Sequence, residues 1–130
     1  MKENMATGTR TEVLEAARGF ARAIRESSQF REHEKAAGSI REDTSARTLL
    51  TEYQEARQAV RMLQTWSGGS SQNNEQFREL EEKVFQHPKL RKYFDSQERL
   101  SSLVQELNTS IRDDLGFDFA RLAKPAGGCC

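Results

Sequence analysis

Between Leu90 and Ile111, the stretch "LRKYFDSQERLSSLVQELNTSI" places Leu90, Tyr93, Gln97, Leu100, Val104, Leu107 and Ile111 at alternating steps of three and four residues. That rhythm holds one side of an α-helix apolar along its length, and it conflicts with a strand, whose faces exchange at every residue. Phe94 and Leu103 broaden the stripe. Pro88, just before it, cannot donate to a preceding turn but suits the first position of a helix. The spacing predicts a helix of about 25 residues, spanning roughly 37 Å at 1.5 Å rise per residue. Gln97 is the polar member of the seam. Either the stripe is exposed at that point, or Gln97 sets register or partner choice as buried polar seam residues do.

The same period recurs upstream. In "ARTLLTEYQEARQAVRML" the residues Ala46, Leu49, Tyr53, Ala56, Val60 and Leu63 form a second seam, with Asp43, Thr44 or Ser45 available as an N-cap. "SGGSSQNN", residues 67–74, reads as the loop between this helix and the next, where Asn73 or Asn74 caps the segment carrying Phe77, Leu80 and Val84. Together they predict a helical hairpin. Nearer the N-terminus, Val13, Ala17, Phe20 and Ile24 share a face widened by Leu14 and Ala21, and Thr9 with Glu12 has capping-box spacing. A shorter pattern around Phe30, Ala37 and Ile40 is interrupted by Gly38. Beyond Gly116, Phe117 and Phe119 are expected to dock back on the bundle.

No sustained period-two alternation appears. The fold class is all-α: an elongated bundle of four to five helices with a long antiparallel helical hairpin. The expected organisation is a flexible N-terminus at 1–10, a helical bundle domain at 11–119 and a flexible Cys-containing tail at 120–130. Only 35% of the residues are hydrophobic and 31% are charged. Apolar residues that sparse favour a thin fold that completes its burial by self-association or with a partner.

Twenty basic residues balance twenty acidic ones. No whole-molecule field draws such a chain to a phosphate backbone or an anionic membrane, and direct nucleic-acid binding is not expected. "KLRKY", residues 89–93, is a local positive cluster. An RNA contact there would use Tyr93 or Phe94 as stacking platforms, unless both rings are core. The N-terminal residues hold no apolar run of signal-peptide type and no later stretch approaches a membrane span, so the expectation is a cytoplasmic protein.

Catalytic constellations are missing from the sequence, and the chain reads as non-enzymatic. His33 and His87 lie far apart without ligand spacing. His33 in "REHEK" reads as a solvated helix face, and His87 before Pro88 as a cap or boundary residue. The acidic pairs Glu81/Glu82 and Asp113/Asp114 have no neighbours that would separate their pKa values. "SGGSS" lacks the Lys-Ser/Thr of a phosphate loop. The two cysteines, Cys129 and Cys130, close the chain in "KPAGGCC". Either they are an exposed reducible pair, or their thiolates supply part of a zinc or iron-sulfur site completed by another chain.

The stretches "ARGFARAIRESSQFREHEKA", "REDTSARTLLTEYQEARQAV" and "EEKVFQHPKLRKYFDSQERLSSLVQELNTSI", over about residues 12–112, resemble the YlbF/YmcA family of small helical regulators of bacterial cell fate. His87, Pro88, Tyr93 and Phe94 match the family's pattern of an Asn-Pro or similar pair before a helix with Tyr or Phe a few residues on, and the tail looks like the Cys-containing C-terminus of the YlbF branch. The resemblance implies a non-catalytic regulatory adaptor that associates with a family paralogue, a PSP1-domain protein and the endoribonuclease RNase Y, and so influences messenger RNA processing. It makes Cys129 and Cys130 candidate ligands of an iron-sulfur cluster shared between chains. Leu49, Tyr53, Leu100, Val104 and Leu107 are the seam residues expected at a partner interface. The alternative is a structural homo-oligomeric scaffold with no redox role.

Overall fold

A computed structural model describes the backbone of residues 2–67 and 71–125 and the side chains of 8–64 and 75–125. Every regular element among the described residues is a helix, and none is a strand. Its elements are α1 (Lys2–Glu26), α2 (Ser28–Arg41), α3 (Thr44–Ser67), α4 (Ser71–Gln86), α5 (Pro88–Leu115) and α6 (Phe119–Leu122). Six helices stand where four to five were expected, the sixth being a single turn.

Each junction has a local cause. Ser27 takes an extended conformation between α1 and α2, where its Oγ accepts from the Phe30 N–H at 3.2 Å and donates to the Ile24 carbonyl. One hydroxyl thus closes the first helix and opens the second. Asp43 starts α3 by accepting from the Ala46 N–H at 3.1 Å. His87 is extended at the N-cap position of α5 and Pro88 follows in its first turn. The His87 N–H, bonded to the carbonyls of Lys83 and Val84, finishes α4. Gly116 ends α5 in the left-handed region at φ 79°, donating to the Arg112 carbonyl at 2.8 Å, a conformation that a residue with a Cβ adopts only under strain.

Some local expectations differ. α1 begins at Lys2, so Thr9 and Glu12 lie inside it and not at its start. α4 begins at Ser71, which places Asn73 and Asn74 within the helix instead of at its cap. Gly38 lies within α2 without breaking it, in a helix that both flanking caps hold.

The core gathers α2, the first half of α5 and the α3/α4 hairpin. Ile40, Ala46, Tyr53, Val84 and Leu90 are buried, with Leu49, Leu50, Phe77, Leu80, Tyr93 and Phe94 packed around them. A file of rings joins the four helices. His33 lies 5.2 Å from Tyr93, Tyr93 meets Phe94 edge-on at 5.3 Å, Phe94 meets Tyr53 at 5.6 Å, and Tyr53 stacks on Phe77 at 5.7 Å. Edge and offset contacts of this kind add to the burial of the rings themselves.

Candidate protein-interaction surface

α2 runs antiparallel to α5 in a defined register. Asp43, just beyond α2, pairs with Lys89 at 3.0 Å; His33 Nδ1 meets Ser96 Oγ at 3.2 Å; Glu32 meets Arg99 at 3.1 Å. Ser96 is buried, and its hydroxyl proton goes to the Tyr93 carbonyl at 2.8 Å. Its oxygen therefore accepts from the His33 Nδ1–H. With that proton committed to a backbone oxygen, His33 is not placed to take it, and the pair reads as a satisfied polar contact between helices. Asp43 is held below the ordinary carboxylate value by the Ala46 N–H first and then by Lys89, with His87 adding to the pull. His87 Nδ1 is buried without a hydrogen-bond partner, so this residue marks the boundary by its backbone and not by side-chain capping.

Beyond this junction the packing stops while the apolar seams continue. α1 approaches α2 and no other described helix. On it Val13 is 62% exposed and Phe20 41%, with Leu14 also open and Ile24 half-buried. On the distal half of α5, Val104 is 48% exposed, Leu115 is open, and Leu100, Leu107 and Ile111 are half-buried. α6 packs on α5 alone, and Phe117, Phe119 and Leu122 remain exposed. The two phenylalanines expected to dock on the bundle do not, because Gly116 turns the chain at the end of a helix that has already left the core. Exposed apolar surface on this scale marks an interaction site.

The expected interface residues divide accordingly. Leu100, Val104 and Leu107 lie on the open seam. Leu49 is half-buried against the core, and Tyr53 is a core residue at 7% exposure, held between Phe77 and Phe94. Gln97 is exposed, as a locally open stripe requires, and Ser96 beside it takes the buried place. In "KLRKY", Lys89 is paired with Asp43, and Tyr93 and Phe94 belong to the ring file, which leaves neither free as a base-stacking platform. Cys129 and Cys130 lie outside the described residues. Among the described residues no group of three or more His, Cys, Asp or Glu is placed to hold a metal ion. No described helix is long and apolar enough to cross a membrane. The α1 stripe was legible as a helix face, but its periodicity gave no sign that it would lack a neighbour.

A family profile described as "Control of competence regulator ComK, YlbF/YmcA" matches residues 13–115. The chain belongs to the YlbF/YmcA family. The match begins on the α1 stripe and ends with α5, so it takes in the core and both open seams. A UPF0342 protein of Leuconostoc mesenteroides subsp. mesenteroides is 23% identical over 113 residues, covering 86% of this chain and 97% of that protein. Membership in the YlbF/YmcA family makes this a regulator of the competence and cell-fate class, built as an all-helical bundle.

Proposed function

We propose that this YlbF/YmcA-family protein is a non-catalytic cytoplasmic adaptor that self-associates and binds regulatory protein partners through the open seams of α1 and distal α5. The observation that carries this reading is the run of exposed and half-buried apolar residues, from Val13 to Ile24 and from Leu100 to Leu122, on two arms that leave the core. By family resemblance the partners are a YlbF/YmcA paralogue, a PSP1-domain protein and RNase Y, and the output is messenger RNA processing. Cys129 and Cys130 supply at most two of the four thiolates that an iron-sulfur cluster takes, so one chain alone does not fit the group and the other ligands come from a partner chain.

Anaerobic purification of the full chain, alone and with co-expressed partners, followed by iron and sulfide analysis, tests both parts. The expected result is a stable complex whose iron is lost when Cys129 and Cys130 are changed to Ser. Iron-free complexes, unaffected by that change, would leave a structural homo-oligomer with no redox role. A chain that stays single and captures neither partner would remove the adaptor reading.

A further inference from the structure

We infer that α1 of one copy covers the distal half of α5 in a second copy, and reciprocally, so that two chains exchange their first helices. The inference rests on the self-association proposed above and assigns its surfaces.

The register between α2 and α5 is fixed by Asp43 with Lys89, His33 with Ser96 and Glu32 with Arg99. From Asp43 back to Glu32 is eleven positions and from Lys89 forward to Arg99 is ten, so the two helices advance at nearly one residue against one. Continued past Ser27 into α1, the same register sets Ile24 opposite Leu107 and Phe20 opposite Ile111. It also sets Arg25 opposite Glu106 and Arg18 opposite Asp113. At these four positions apolar meets apolar and arginine meets carboxylate, while between them Arg22 falls opposite Thr109 and Ala17 opposite Asp114. In this register the stretch from Val104 to Leu115, about 17 Å long at 1.5 Å per residue, lies opposite Ala16 to Ser27.

The match is present in the sequence of one chain but not made within it. The extended Ser27 ends the run of α2, and α1 makes no approach to α5. Each chain therefore shows both halves of a complementary seam, exposed or half-buried and not packed on each other. A second copy supplies both missing halves together. The contact is then formed twice around a two-fold axis, as an exchange of an identical element between protomers.

The test uses the full chain with Cys129 and Cys130 changed to Ser, so that introduced thiols stand alone. Ile24→Cys and Leu107→Cys variants are prepared separately, mixed, and treated with a short bismaleimide, with sedimentation run in parallel. The expected product is a covalent dimer from the mixture, and a covalent dimer also from the double variant. A double variant that cross-links only within single chains overturns the exchange, because α1 would then close on its own α5. A dimer by sedimentation without cross-linking at these positions also overturns it, while leaving self-association intact. A monomer at every concentration removes both. Charge reversal gives an independent reading: Arg18→Glu with Arg25→Glu is expected to raise the dissociation constant about tenfold, and adding Glu106→Arg with Asp113→Arg to bring it back. Unchanged affinity in the reversed pair would overturn the register.

Discussion

Leu90 and Val104 belong to one helix and one seam, yet Leu90 is completely buried and Val104 is half open. Leu90 sits where α2 and the α3/α4 hairpin close around α5. Val104 sits past the point where α2 ends at Ser27 and α1 leads away. The helix is the same on both sides of that point, so its own propensity does not distinguish the halves; only the presence of a neighbour does. An amphipathic helix records that a face needs covering, and tertiary contact decides whether the chain covers it alone.

Substitutions on the two halves should separate sharply. Leu90→Ala is expected to cost about 3 kcal/mol through lost burial and a cavity in a site with no solvent access. Val104→Ala in dilute protein should change stability by less than about 0.5 kcal/mol. Urea unfolding followed by circular dichroism checks both, and comparable losses would mean that distal α5 is covered within a single chain. A smaller contrast concerns polar groups. Ser96→Ala leaves the His33 Nδ1–H without its acceptor and is expected to cost about 1–2 kcal/mol, whereas Ser110→Ala on the exposed side of the distal half should be near neutral. Equal effects in the same unfolding assay would show that the polar contact does not bind α2 to α5.

The smallest effect is expected at the edge of the core. Asp43 has a folded pKa below its ordinary 3.8, so its contribution is fully present above that value and is lost as pH falls through the lower, folded one. Asp43→Asn should therefore flatten the dependence of stability on pH below about 4 and leave its shape near neutrality unchanged. A wild-type profile already flat below pH 4 would mean that the Ala46 and Lys89 contacts do not persist in solution.

The helices of this molecule were legible because the three-four rhythm reports a solvent boundary on a regular backbone. Pro88 and Gly116 were legible as boundaries for the equally local reasons of a missing N–H and a missing Cβ. What lies against each face was not. The rhythm placed Gln97 on the seam, but Ser96 takes the buried place because its short hydroxyl can bond back to Tyr93 and across to His33. Tyr53 was expected at an interface and is core, since ring contacts from α4 and α5 reach it across long separations in the chain. Capping chemistry misled at Thr9 and Asn73, where short-range signals matched a cap while the helix continued through them.

The pairing of α2 with α5 encloses the α3/α4 pair, so the fold is a hairpin within a hairpin. Glu32 and Arg99 are 67 positions apart, a span that is costly to close from an open chain. Once Tyr53 and Phe77 bring α3 and α4 together, the effective loop is far shorter, and closure entropy grows with loop length. The order of assembly is thus expected to run from the inside outward. Stopped-flow measurements should find that Phe77→Leu chiefly slows refolding while Ser96→Ala chiefly speeds unfolding. The reverse pattern would place the outer pairing in the nucleus. On the inside-out order the outer helices are the last to commit, and α1, which lies beyond them, can still be choosing between chains when the rest of the molecule is already built.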